Sequence, residues 1–431
     1  MIKTYDGVLL NGPVQRGDIE LMVPAGDFEA LSAAIQGGAN SVYFGVGRLN
    51  MRAKSSINFT IEDLPEIVAR CKPFNVQTYL TLNTVIYDSD IEEMKQLVDA
   101  AYDAGISAII ATDIATLRYA SQKGMEIHAS TQLNISNVEA LKFYAQWIDV
   151  GVLARELTLN QVAFITRQIK EQNIVGPSGN LVRIEIFAHG ALCMAISGKC
   201  YLSLHETGAS ANRGACQQTC RKSYIVTEKE TGHELEVDNE YIMSPKDLCT
   251  IGFLNKIIDA GVRVLKIEGR ARGPEYVKKV CQVYNQALDS LVDGTYSEEK
   301  IRLWKTELSK VFNRGFWDGY YLGKRLGEWS SVYGSIATHT KTYVGKITNY
   351  FTKISVIELK IEATDIEVGQ TALIIGPTTG VYEFEIKEIR IDDQSVKKAT
   401  QGQIVSIPVD ELVRRGDKFY IFKPNETIKI Y

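Results

Sequence analysis

Over the first 290 positions two apolar patterns alternate. Short β-branched runs are separated by longer stretches whose apolar residues recur at helical spacing. The short runs are IELMVPAG near Leu21, SVYFG at Val42, VQTYLTLN near Tyr79, SAIIATD at Ile109, EIHAS near Ile127, DVGVLAR near Val152, VRIEIFAHG near Ile186 and RVLKIEG at Leu265. Between them lie amphipathic segments such as TIEDLPEIVARC and DIEEMKQLVDAAYDAG. In the second of these, Asp90, Glu92 and Glu93 sit where a helix dipole favours acids. Three helical patterns end in glycine just before a strand run, at Gly38, Gly105 and Gly261. A glycine there supplies a left-handed C-cap, and a fully apolar run after it fits a strand buried on both faces. Eight alternating units predict a TIM-type (β/α)8 barrel, with a doubly wound open sheet as the alternative.

The alternation breaks between Ile186 and Val264, where the gap far exceeds one crossover helix. Long insertions in barrels commonly carry function. The pattern therefore predicts an N-terminal extension over 1–18, a barrel over 19–290 with a cysteine-rich insertion at about 189–245, and a helical connector over 291–332. From 333 to 431 short alternating strands follow one another, with glycine, Asp and Asn between them: a small all-β barrel or sandwich.

Composition narrows the class. Hydrophobic residues are 45% and charged residues 23%, as in an ordinary globular protein, and the net charge of −4 gives no bulk attraction to nucleic acid. The start of the chain has no basic-then-apolar leader, and no charge-free stretch reaches membrane-spanning length, so a cytoplasmic protein with no membrane contact is expected. With seven cysteines and a reducing compartment, a disulfide framework is not expected.

Four of those cysteines are clustered. Cys193, Cys200, Cys216 and Cys220 lie within 28 residues, among Gly190, Gly198, Gly208 and Gly214, with Arg213 and Arg221 beside them. Clustered thiolates in a glycine-rich segment point to an iron–sulfur cluster. Zinc is the next reading, but zinc pairs usually sit about two to four residues apart, and six residues separate Cys193 from Cys200. A catalytic thiol is a third, because His189 lies four residues before Cys193; inert core cysteines are the last. Cys71, Cys249 and Cys281 are expected in the core, and His128, His205, His233 and His339 as structural or surface residues.

Polar residues recur where strands should reach the catalytic end of a barrel. Arg155, Glu156, Glu185, Lys266 and Glu268 are the catalytic candidates; Asn83, Gln132, His189 and Arg270 are candidates for holding a cofactor or substrate. Asp113 and Asn134 sit at comparable positions. The bland alternative for any of them is an ion-paired layer that closes the barrel mouth. Arg155, Lys266 and Arg270 suit carboxylates or phosphate, the glutamates suit acid–base work, and Asn83 and Gln132 suit a base edge.

The run Glu185-x-Phe187-x-x-Gly190-Ala191-Leu192-Cys193, four residues, Gly198-x-Cys200-x-Leu202-Ser203 resembles the signature of peptidase family U32, the collagenase-like family, at each defined position. LMVPAGDFEALSAAIQGGANSVYFG, RELTL, ANRGAC, SPKDL and KIEGR are also similar to that family, over about residues 19–330. The resemblance is closest to the branch of transfer RNA hydroxylation proteins, which share one barrel and one β domain. It implies oxygen-independent hydroxylation of a wobble uridine to 5-hydroxyuridine, with prephenate as cosubstrate and a 4Fe–4S cluster on the four cysteines. Transfer RNA and a related family protein are the implied partners. The family's name implies proteolysis instead, although neither HExxH nor GxSxG occurs. A non-catalytic RNA-binding iron–sulfur protein is the third reading.

Overall fold

A computed structural model describes residues 14–222, 225–235, 244–323, 327–330 and 334–426. Most of the expected N-terminal extension lies outside the described residues, as do parts of the cysteine-rich segment and of the connector.

The eight strand patterns become eight parallel strands: β1 Glu20–Pro24, β2 Ser41–Gly45, β3 Gln77–Leu82, β4 Ala108–Ala111, β5 Glu126–Ala129, β6 Val150–Val152, β7 Arg183–Ala191 and β8 Val264–Ile267. Each pairs with the next, and β8 pairs with both β7 and β1, so the sheet closes into a barrel. This excludes the open doubly wound sheet. Gly105 and Gly261 take φ of 79° and 88° at the turns into β4 and β8, a region where an L side chain is strained. Asp27 caps helix Phe28–Gln36 by accepting from the Ala30 amide at 2.7 Å.

Strand alternation divides the side chains into two sets. Leu21, Val23, Val42, Phe44, Leu80, Ile109, Ile127, Ile184 and Leu265 join the main core under the helices. Met22, Tyr43, Tyr79, Ala108, Ile110, Val150 and Val264 form a separate cluster inside the bore. Glu20, Glu126, His128, Arg183, Glu185 and Lys266 share the bore with them, which makes this interior unusually polar for a barrel.

Between β7 and β8 the chain folds over the barrel through Leu202–Thr207 and two short 3-10 turns, then returns as Asp247–Cys249, which runs antiparallel to β7. Helices Pro274–Val292 and Glu298–Ser309 lead to the tail. There, eight strands form one antiparallel sheet with an open pairing order and a core of its own around Val344, Ile357, Leu359, Ile374 and Phe419. The sheet seats on helices Phe28–Gln36 and Pro274–Val292. Leu373, Ile375, Val381 and Phe422 join the barrel's core, and Gln36 bonds to Thr379 and Val381. Cys71, Cys249 and Cys281 are buried. Among the described residues no helix is long and apolar enough to cross a membrane.

Candidate active site

The C-terminal ends of the strands and the cysteine-bearing segment enclose a cavity of about 200 Å³. Tyr43, Thr81, Asn83, Ser130, Gln132, Val152, Arg155 and Phe187 form its floor and walls, together with Lys266, Glu268 and Arg270. Cys193, Cys200, Cys216 and Cys220 all face the same space. Six cations line it (Arg52, Arg155, Arg221, Lys266, Arg270 and Arg272) against one carboxylate, Glu268.

Lys266 donates to Glu185 at 2.8 Å and lies 4.6 Å from the centre of the Tyr43 ring. Glu185 is fully buried, and its other oxygen lies 3.3 Å from His128 Nδ1. Burial pushes the Glu185 carboxyl up, but Lys266 and His128 outweigh it and hold the group below the usual carboxylate range. Burial pulls the His128 imidazole down, but Glu126 and Glu185 outweigh it, so its pKa stands raised.

Glu268 is held by Arg52 at 2.6 and 3.2 Å, and the Tyr43 hydroxyl lies 3.1 Å from its second oxygen. Against the cost of burial these partners bring its pKa down to about 2, so it is a carboxylate at any ordinary pH. Arg270 has no carboxylate in contact. It donates to Thr81 Oγ1 at 2.9 Å and Asn50 Oδ1 at 3.0 Å, and burial lowers its pKa to about 10. Its approach requires Gly45, where an added Cβ would stand 2.5 Å from Arg270 Nη1 and 2.7 Å from Asn50. Arg155 makes one long bond, to the Ala195 carbonyl at 3.4 Å, and its buried Nε has no partner.

The cysteine segment is clamped to the barrel loops. Arg213 donates to Asp90 at 2.5 Å and to the Val85 carbonyl at 2.7 Å, and stacks on Tyr87. Arg48 reaches Asp90's other oxygen at 2.9 Å. Asn134 holds the Ser197 carbonyl at 3.0 Å, and Arg221 holds that of Leu192 at 2.7 Å. Burial first, and then the neighbouring thiols Cys193, Cys216 and Cys200, push the Cys220 thiol up to about 11. Among the described residues, no three His, Cys, Asp or Glu side chains close on one point as a single-ion cage would.

Of the residues singled out from sequence, Arg155, Lys266, Glu268, Arg270, Asn83, Gln132 and the four cysteines meet at this cavity. Glu156 faces solvent and does not line it. Glu185 lies one layer below, reaching the cavity only through Lys266. His189 is buried among Tyr276, Tyr284 and Phe316, 3.4 Å from the Tyr284 hydroxyl, and burial drops its pKa to about 3. It lines no part of the cavity, which removes the thiol–histidine pair. Asp113 caps helix Ile114–Gln122. His128, expected to be a plain structural residue, is part of the charged bore. Tyr43, Arg52 and Arg272 were not foreseen as site residues, and Arg221, expected beside the thiols, lines the cavity with them. Tyr43 does sit near the end of a predicted strand, and Arg52 lies in the loop after it; those positions were the available signal.

A family model described as "Peptidase family U32" matches residues 26–331. A protein of Porphyromonas gingivalis named "Collagenase" is 58% identical over 95% of this chain and 99% of its own. A second, also named "Collagenase" and from the same species, is 54% identical over 84% of this chain and 100% of its own. A "tRNA hydroxylation protein" of Bacillus subtilis is 31% identical over 91% and 92%. These identities overturn the expectation of transfer RNA hydroxylation. Over the aligned residues the chain is identical at more than half the positions to the two proteins named Collagenase and at under a third to the hydroxylation protein.

Proposed function

The chain belongs to peptidase family U32, and from that premise we propose that it is a peptidase of the collagenase type, working in the cavity at the barrel mouth. The observation that carries this reading is the 58% identity, over nearly the full length of both chains, to a protein named Collagenase.

Hydrolysis of a peptide needs a polarised carbonyl, an attacking water and a proton for the leaving amine. Arg155 and Arg270 are cavity cations with no carboxylate in contact, suited to a carbonyl oxygen as it gains charge. Lys266 with Glu185 beneath it is the acid–base pair, and Lys266 is the proton donor to the amine. Glu268, fixed as a carboxylate, holds Arg52 in place. Six cations against one carboxylate favour a peptide that brings negative charge, through its terminal carboxylate or an acidic side chain.

The four cysteines are proposed to hold a 4Fe–4S cluster, supported by their lining one cavity and by Arg221 beside Cys220, which offsets negative charge. Such a group supplies a redox-active or Lewis-acidic centre beside the cations.

The test is cleavage of gelatin and of collagen-sequence peptides by anaerobically purified protein, with fragments identified by mass spectrometry. Arg155→Ala should keep its fold and iron and cut at least about 100-fold more slowly. Folded, iron-loaded protein that cuts none of these substrates refutes the reading.

A further inference from the structure

The charged side chains inside the bore form one continuous path. It starts in the cavity at Lys266, whose Nζ lies 2.8 Å from Glu185 Oε1. Glu185 Oε2 lies 3.3 Å from His128 Nδ1, and His128 Nε2 lies 3.4 Å from Glu126 Oε1. Glu126 sits at the opposite, N-terminal end of the barrel, paired with Arg183 at 3.1 Å. Arg183 bonds to Glu20 at 3.0 Å, and Glu20 accepts from Tyr79 and from Ser41 at 2.7 Å each.

Burial changes along the path. Glu185 and His128 side chains are 0% exposed, Lys266 is 7%, and Glu126 and Arg183 reach 38% and 42%. The path therefore joins an enclosed cavity at one mouth of the barrel to water at the other. A barrel interior is ordinarily filled by branched apolar side chains, and a buried ion network is seldom worth its desolvation cost for stability alone.

We propose that this path is a proton relay, with His128 as the carrier that links the cavity to solvent at the far mouth of the barrel. Each step passes one proton along one contact. When Lys266 gives a proton to a group in the cavity, Glu185 carries a replacement to Nζ from His128 Nδ1. For this, His128 rests as the Nδ1–H imidazole and first takes a proton at Nε2 from Glu126, which draws it from water; the imidazolium so formed releases its Nδ1 proton to Glu185, and tautomer exchange in the ring restores the resting form. Protons balance at every step, and no oxidant or reductant is needed. The Nε2 contact is not aligned as a hydrogen bond, and Glu126, open to water, is the group free to turn and close it.

His128 faces Glu126 on its own strand, Glu185 from β7, the Tyr79 ring from β3 at 4.5 Å, and the charge of Glu20 from β1; Lys266 acts on it through Glu185. Two carboxylates, one beside each ring nitrogen, raise its pKa and give each nitrogen a partner for proton transfer.

The cavity end of the relay rests on the peptidase reading, while the path itself does not, so two measurements separate them. The first is nuclear magnetic resonance of the full chain, purified anaerobically and labelled with ¹⁵N-histidine, with His128 assigned by loss of its signal in His128→Gln. A relay predicts ring protons that exchange with water within milliseconds, slowed at least about tenfold in Glu126→Gln, a change made at the exposed end. Ring protons that persist for minutes in D2O, with or without Glu126, overturn the relay, because a static buried network exchanges only when the protein opens.

The second is peptide cleavage. Glu126→Gln should lower kcat about tenfold with KM unchanged, move the pH profile, and be restored in part by added imidazole as a small proton carrier. An unchanged pH profile with no imidazole effect in an active enzyme also overturns the relay. Fast exchange at His128 in a protein that cuts no peptide upholds the path and refutes the peptidase reading alone.

Discussion

Replacing Lys266 with Met would leave the Glu185 carboxylate without its main partner in a place water does not reach. At 2.8 Å and an effective dielectric constant near 20, the pair's attraction is roughly 6 kcal/mol. Desolvation of both groups takes back part of that, and removing one partner of such a pair typically costs about 3–5 kcal/mol. That cost should depend on pH. In the wild type Glu185 is held below the usual range, so its share of stability is present above the unfolded carboxyl value of about 4.3 and fades as pH falls through the lower folded value. In the variant, burial dominates and the folded pKa moves above the unfolded one. Protonation then relieves the variant as pH falls, and protonated His128 on the other carboxylate oxygen adds to the relief. Urea unfolding of both proteins at pH 8 and pH 5.5, under argon, should show the gap narrowing by at least about 1 kcal/mol. Lys266→Met with Glu185→Gln should recover much of the loss at pH 8. A penalty below about 1 kcal/mol, equal at both pH values, would show that the carboxylate is not the buried charge described.

Four further outcomes follow from particular contacts. Arg52→Met should free Glu268 to protonate: its pKa, now about 2, climbs as burial takes over, read by NMR titration of the glutamate carboxyl carbons. Gly45→Ala should displace Arg270 and cost about 1–3 kcal/mol in unfolding experiments, with peptide cleavage falling in parallel. Serine at any one of Cys193, Cys200, Cys216 or Cys220 should lower the iron bound by anaerobically prepared protein, whereas Cys281→Ser should leave it unchanged. Asp90→Asn should loosen the cysteine segment by weakening its bonds to Arg213 and Arg48, read as faster proteolysis between 193 and 222.

By itself the sequence determined the eight βα units and the β-rich tail. Parallel strands buried on both faces need continuous apolar runs, and the crossover helices need amphipathic ones, so all eight units can be read locally, down to the glycines at the turns into β4 and β8. The signature around Cys193 carries the family, and strand-end position carries Arg155, Lys266, Glu268 and Arg270, because strand ends are where a barrel presents side chains to its mouth. Within the family, length and domain plan pointed towards the transfer RNA branch, since members with different names share this fold; identity over the whole chain corrected that. Closure of the sheet was decided by the tertiary structure, through the pairing of β8 with β7 and β1. So was the split between Glu185 below the cavity and Glu156 in solvent: Glu185 sits early in β7, inside the bore, whereas Glu156 lies in the turn beyond β6. His128 gave no local signal, because its partners Glu126, Glu185 and Glu20 meet only once β1, β5 and β7 curve around a common axis. Local periodicity records which face of a strand is buried, whereas the charges that share a bore are set by the closed, staggered geometry of the whole barrel.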